Sequence, residues 1–308
     1  MRRGFALVAA SLSAAALGAT LFGQAPAPAV SVSAVLRDQF ARRLQATADD
    51  ADGVVGYTII DVTSGERFAH LESTTFPTAS TIKLAILYEL FTQADQGRVH
   101  LDEPRPLDRS HAVPGGLLFD LTTPAISPRD LAVAMVLQSD NTATNVLIDQ
   151  LGMDAINRRI AGLGLMATHL RRHMIDLEAA RRGDENTSTP SDLARLVLVF
   201  HEGQGLTPES ARAAMVILKK PKHTAITTGV PPEIAIASKP GELEGVRADA
   251  GIVYVPGRPY VFVAMGTYLI DRPDTTDVVE RPLMDLARLS YDYFSRRSSV
   301  SDVGRQIR

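Results

Sequence analysis

Cysteine is absent from the 308 residues, which removes a thiol nucleophile, structural disulfides and thiolate metal sites together. That absence leaves the compartment open, because exported chains need no disulfide. An excess of one charge is missing too. Lys and Arg number 32 against 35 Asp and Glu, a formal net charge of −3, so neither a basic surface for nucleic acid nor a polyanionic or disordered tail is indicated. The expected partner is a small molecule, with no nucleic acid. None of the seven histidines falls in a His-Glu-x-x-His pattern. His169 and His173 stand four apart without an evident third ligand, so no metal and no cofactor is expected. Past residue 30 there is no internal repeat, no low-complexity stretch and no second long hydrophobic run.

The long apolar run that is present opens the chain. Arg2 and Arg3 precede an apolar stretch over 5–22, and small residues with prolines fill 24–30. This pattern predicts an export signal over 1–30, with Ala25, Ala27 and Ala29 as candidate cleavage ends, or a membrane anchor if the run stays uncleaved. Arg2-Arg3 fits a twin-arginine signal loosely, and a plain positive segment is the preferred explanation. The expected location is exported, periplasmic or secreted.

In the mature chain, apolar residues at helical spacing predict a helix over 32–48. A β-branched strand over 54–61, the turn Thr63-Ser64-Gly65-Glu66 and a return over 67–70 read as a hairpin. Helices are expected over 81–96, 128–138, 142–151 and 190–200, the second and last opened by Ser or Thr ahead of proline. Beyond Val246 alternation returns, with strands over 250–255 and 260–268 and a closing helix over 276–294. Strands at both ends with helices between imply an α/β (α+β) fold. An antiparallel sheet from the N- and C-terminal thirds carries the terminal helices, and an all-helical subdomain is inserted. The expected layout is one domain over 31–300, with the sheet layer at about 31–77 and 226–300, the helical part at about 78–225, and a tail over 301–308.

Three short motifs carry candidate chemistry. Ser80-Thr81-Ile82-Lys83 sets a hydroxyl and an amine on one helix face, where a lysine made neutral by burial can take the serine proton. Read blandly, this is a helix cap followed by a surface lysine. Ser139-Asp140-Asn141 falls between two expected helices, either relaying protons and binding a carbonyl or simply capping the second helix. Lys239-Pro240-Gly241 precedes a β-like run and pairs a carboxylate-attracting cation with a glycine that admits close approach. An ordinary turn with a solvated lysine accounts for it as well.

Together, in this order and at these intervals, the motifs resemble SxxK, SDN and KTG of the class A β-lactamases and penicillin-binding proteins. Thr142-Ala143-Thr144-Asn145 and Thr187-Ser188-Thr189-Pro190 extend the likeness. The resemblance implies a sheet-plus-helical fold with Ser80 acylated at its cleft, Lys83 and Ser139 moving protons, Asn141 orienting a substrate amide and Lys239 holding a carboxylate. It implies an oxyanion hole from the backbone N–H groups of Ser80 and Glu242, the residue after Gly241, and a carboxylate-binding role for Arg247. A surface ion pair of Arg247 with Asp249 or Glu244 is the alternative.

Two departures stand out. Where class A enzymes carry ExxLN on their Ω-loop, this chain has Met174-Ile175-Asp176-Leu177-Glu178. Met174 takes the glutamate slot and cannot accept a proton, while Glu178 takes the asparagine slot. Glu178 is the expected deacylating group, with Asp176 and His173 as alternatives. Equally, Asp176 and Glu178 would only hold the loop, by pairing with Arg171, Arg172, Arg181 or Arg182. Pro240 replaces the hydroxyl residue of the third motif, removing a donor. The implied activity is β-lactam hydrolysis through acyl-Ser80. The alternatives are a D-alanyl-D-alanine peptidase or penicillin-binding protein that deacylates slowly, a non-catalytic cell-wall binding module, and a general esterase.

Overall fold

In the computed structural model of the protein, Met1, 31–270, 276–300 and 303–305 are described. The export signal expected over 1–30 therefore lies, Met1 apart, outside the described residues. Among the described residues no helix is long and apolar enough to cross a membrane.

The elements in chain order are α1 (Val32–Asp49), β1 (Val54–Asp61), β2 (Arg67–His70), β3 (Phe76–Pro77), a 3₁₀ turn (Ala79–Ile82), α2 (Lys83–Asp95), β4 (Arg105–Pro106), α3 (Leu117–Asp120) and β5 (Ala125–Ile126). There follow α4 (Pro128–Leu137), α5 (Asn141–Leu151), α6 (Met153–Gly162), α7 (Leu177–Arg181), β6 (Thr187–Ser188), α8 (Pro190–Glu202), α9 (Pro208–Leu218) and α10 (Ala225–Thr228). The chain closes with β7 (Ile236–Leu243), β8 (Val246–Val253), β9 (Tyr260–Thr267) and α11 (Thr276–Ser298).

The expected hairpin forms because Asp61 Oδ1 accepts from the Thr63 amide at 2.8 Å and so closes the turn. It sets Tyr57 opposite His70 and Ile60 opposite Arg67. β1 also pairs with β9, and the antiparallel sheet runs β2-β1-β9-β8-β7. Its strands come from the two ends of the chain and the helices from between, which is the α+β arrangement read from the sequence. One face packs on α1 and α11, with Phe40 stacked on Tyr293 at 4.1 Å between ring centroids. The other face packs on the helical layer around α2, whose apolar side chains from Leu84 to Phe91 are all buried.

Helix starts follow local chemistry. Ser127 and Thr189 cap α4 and α8, each with proline in the first turn, and each accepts a backbone amide from Asp130 or Asp192. Several elements differ from expectation. α6 and α9 are full helices where none was read, and β8 begins at Val246 rather than at 250. The third motif lies inside β7 instead of before a strand. β7 is an edge strand, where a proline costs no central ladder bond.

Candidate active site

Ser80 stands on the 3₁₀ turn that feeds α2, after Ala79 at φ 45°, a left-handed conformation that a non-glycine residue adopts only under constraint. The turn is held from two sides. Thr78 donates through both N and Oγ1 to the carbonyl of Asn186, at 2.9 and 3.1 Å. Gly241 of β7 presses on it so closely that a Cβ there would lie 2.8 Å from Thr78 O and 2.9 Å from Ser80 N. Only glycine lets the edge strand reach the nucleophile turn.

The two lysines converge on the second motif. Lys83 Nζ, fully buried, donates to Ser139 O at 2.7 Å and Asn141 Oδ1 at 2.8 Å, and lies 3.1 Å from Ser139 Oγ. Lys239 Nζ reaches that hydroxyl from the opposite side, also at 3.1 Å, and donates to Pro240 O at 2.7 Å. Burial takes Lys83 well below the ordinary lysine value, and the nearby charge of Lys239 lowers it further against the pull of Asp140. Burial brings Lys239 to about 7, with Asp249 opposing and Lys222 adding to the fall. Beneath them the enclosed Asp249 carboxyl is pushed up to about 6 by burial, although Ile226 N donates to it at 3.0 Å. Two ammonium groups directed at one hydroxyl repel, so the favoured state has Lys83 neutral and able to take a proton.

Ser139 itself has φ 53°, which turns its carbonyl and hydroxyl together toward Lys83. Both roles weighed for its neighbours occur. Asp140 caps α5 through Ala143 N at 2.8 Å, and Asn141 holds Lys83. Asp140 Oδ2 also accepts from Leu118 N at 2.7 Å, tying the 113–120 segment to the motif.

An open cleft of about 440 Å³ joins these groups, lined by Ser80, Gly115, Ser139, Asn141, Lys239, Gly241, Glu242 and Arg247 among others. Eight of the nine expected site residues thus meet, since Lys83 touches the cleft residues Ser139 and Asn141 from below. Arg247 pairs with neither Asp249 nor Glu244. Its guanidinium lies 3.2 Å from Glu242 and 3.7 Å from Glu280, and donates to Leu243 O and Val246 O.

Glu178 is the residue the structure leaves out. It sits in the first turn of α7 with its side chain 75 % exposed, bonded to Arg181 one turn on and absent from the cleft lining. The expectation that it stands beside Ser80 is corrected on that ground. The α7 register gives Glu178 an arginine at i+3, and an ion pair over solvent holds it there. Asp176 caps the same helix through Ala179 N at 2.9 Å. Met174 is buried, its amide and carbonyl both bonded to Asn145. Of the pairs expected to hold the loop, Glu178 with Arg181 forms, while Arg172 pairs with Glu185 at 2.7 Å.

Sequence reasoning missed Asp249 as the acid beneath Lys239 and weighed it only as a partner of Arg247. It also missed that His173 has companions outside its own segment. His111 and Asp149 stand beside it, from stretches that share no sequence pattern.

A serine on a strained turn, a desolvated lysine three residues on that bonds Ser139 and Asn141, and a strand-borne lysine meeting the same Ser139 hydroxyl define a serine hydrolase of the class A β-lactamase-like kind. A model of the beta-lactamase enzyme family matches residues 39–294, and the chain belongs to that family. It is 28% identical over 271 residues to the beta-lactamase AST-1 of Nocardia asteroides, covering 84% of this chain and 86% of that one. The structure of a beta-lactamase from Sphaerobacter thermophilus is similar at TM-score 0.73 and 32% identity, over 82% of this chain and 95% of that one. PBP-A is similar at TM-score 0.74 and 28% identity, over 83% and 96%.

Proposed function

We propose that this chain hydrolyses β-lactam amides through an acyl-Ser80 intermediate, in a compartment reached by export through the 1–30 segment. The observation that carries the reading is the pair of desolvated lysines meeting at Ser139 beside the Ser80 cleft. Lys83, neutral, takes the Ser80 proton as Oγ attacks the lactam carbonyl. The oxyanion meets the N–H groups of Ser80 and Glu242, a role supported by the close approach of Gly241, the residue before Glu242, to the Ser80 amide. The C–N bond then breaks, and the nitrogen takes a proton from Ser139, which Lys83 restores. Asn141 turns Oδ1 to Lys83 and keeps its amide N–H groups for the substrate carbonyl. Lys239 and Arg247 hold the substrate carboxylate. Water finally hydrolyses the ester.

A second reading rests on the outward position of Glu178 and the burial of Met174. With no Ω-loop carboxylate at the ester, acyl-Ser80 persists, as in a penicillin-binding protein or D-alanyl-D-alanine peptidase. A mutant of the related PBP-A, similar at TM-score 0.74, is known as an acyl-enzyme complex with penicillin G. Intact mass after brief and prolonged benzylpenicillin exposure, beside Ser80→Ala, separates the readings. Excess penicillin consumed with a transient adduct supports hydrolysis. A lasting adduct lost in Ser80→Ala supports the second reading, and no adduct with penicillin intact rejects both.

A further inference from the structure

We propose that His111, Asp149 and His173 form a binding site for a divalent first-row transition cation of the zinc type, on the helical side of the cleft. His111 Nδ1 lies 2.7 Å from Asp149 Oδ2, and His173 Nε2 lies 2.8 Å from Asp149 Oδ1. One carboxylate therefore takes a nitrogen of a different imidazole on each oxygen. The two rings stack at 4.2 Å between centroids, 21° from parallel. One ligand atom from each residue falls within 4.8 Å of the others. Tetrahedral zinc with ligands at 2.0–2.1 Å needs ligand atoms ~3.4 Å apart, so the hydrogen-bonded contacts open by a fraction of an ångström to admit the ion.

The donor set suits the ion. Two imidazoles and a carboxylate with a side open to solvent match a three-ligand zinc site completed by water, and a nitrogen-oxygen set without thiolate favours zinc, cobalt or nickel over calcium or magnesium. His111 and Asp149 are about half and one-third exposed, which leaves an entry path. Proton accounting closes. Each neutral ring moves its proton to the other nitrogen and gives the freed lone pair to the metal, and a charged ring releases one proton.

The backbone beneath the cluster is fixed. Asn145, one turn before Asp149 on α5, donates to His111 O at 2.9 Å and Met174 O at 3.2 Å, and accepts from Met174 N at 2.8 Å. Thr142 likewise holds both N and O of Val113 at 3.0 Å. Three separate stretches are thus locked in register under the ligands. A bound ion clamps the segment leading to Gly115, on the cleft wall, against the Ω segment at His173.

The test uses the untagged chain, stripped with chelator and titrated with Zn²⁺ by calorimetry and with Co²⁺ by visible absorption. One equivalent is expected, with a rise in thermal midpoint. Imidazole ¹⁵N signals of two histidines should shift and those of the other five stay. His173→Gln and Asp149→Asn should each weaken binding about tenfold or more, while His100→Gln leaves it unchanged. No saturable binding, shifts at other histidines, or affinity indifferent to both substitutions overturns the proposal. The nitrogen spectra need only the unaltered chain, so they decide the matter if a variant fails to fold.

Discussion

A side chain on Gly241 would begin 2.9 Å from the amide nitrogen of Ser80 and 2.8 Å from the carbonyl of Thr78. Neither atom is the end of a flexible side chain, so the strand and the nucleophile turn must separate. Gly241→Ala is expected to cost about 1–3 kcal/mol in a denaturant melt, as overpacking does. It should slow acylation by benzylpenicillin about a hundredfold, because the oxyanion donors move apart. Unchanged acylation in a folded variant would show that the turn and strand are not the paired donors.

The lysines predict a pH profile. Acylation in the proposed mechanism needs Lys83 neutral and Lys239 charged, and Lys239 gives up its proton near 7. Acylation efficiency toward a carboxylate-bearing β-lactam should therefore fall as pH rises through about 7. A bound carboxylate retains the Lys239 proton, so the falling limb of kcat lies at higher pH than that of kcat/KM. A neutral ester substrate without a carboxylate should lack the limb. The same fall with both substrates would assign the titration to another group.

Asp249 links the site to stability with a fixed sign. Its folded value of about 6 stands above the ordinary 3.8, so the folded protein holds the extra proton between them. The stabilisation from this group is complete below about pH 4 and is lost as pH rises through about 6. Lys239, lowered from 10.5 to about 7, acts in the other window. Its contribution is complete above 10.5 and lost as pH falls through about 7. Urea melts of the unaltered chain and Asp249→Asn, compared from pH 4 to 7, should show the variant gaining relative stability with rising pH. A constant difference would mean that Asp249 stays ionised.

Asp140 serves two backbone amides at once, Ala143 N and Leu118 N, from a buried position. Asp140→Ala removes a helix cap and strands a buried amide, a cost of about 2–4 kcal/mol. Asp140→Asn keeps the cap and should cost less. Chemical denaturation of both checks the order, and equal losses would show that the cap through Ala143 N contributes nothing beyond the bond to Leu118.

What was legible in the sequence were features fixed locally. The hairpin followed from the Asp61 turn, and α4 and α8 from Ser127-Pro128 and Thr189-Pro190. Thr207-Pro208 carries the same signal and opens α9, so that helix was readable and overlooked. α6 starts at Gly152 without a side-chain cap and was not marked. β7 was hidden for a physical reason. Lys239, Pro240 and Gly241 weaken strand propensity, and the segment is a strand because it pairs with β8 and covers the nucleophile turn. The three motifs located most of the site. The Asp249 acid and the His111–Asp149–His173 group depend on contacts between distant segments, which no local pattern records.

The outward Glu178 gives the sharpest test of the Ω-loop. Its carboxylate is three-quarters exposed and bonded to Arg181 on the same short helix, an arrangement worth a few tenths of a kcal/mol. Glu178→Gln should shift stability by no more than about 0.5 kcal/mol. It should leave the lifetime of the penicillin adduct at Ser80 unaltered, since the side chain stands outside the cleft. The check is the decay of that adduct, followed by intact mass in the variant and the parent chain. If decay slows about tenfold or more while the melt is unchanged, Glu178 reaches the ester after acylation. The loop would then have to reorganise during turnover, breaking the pair with Arg181.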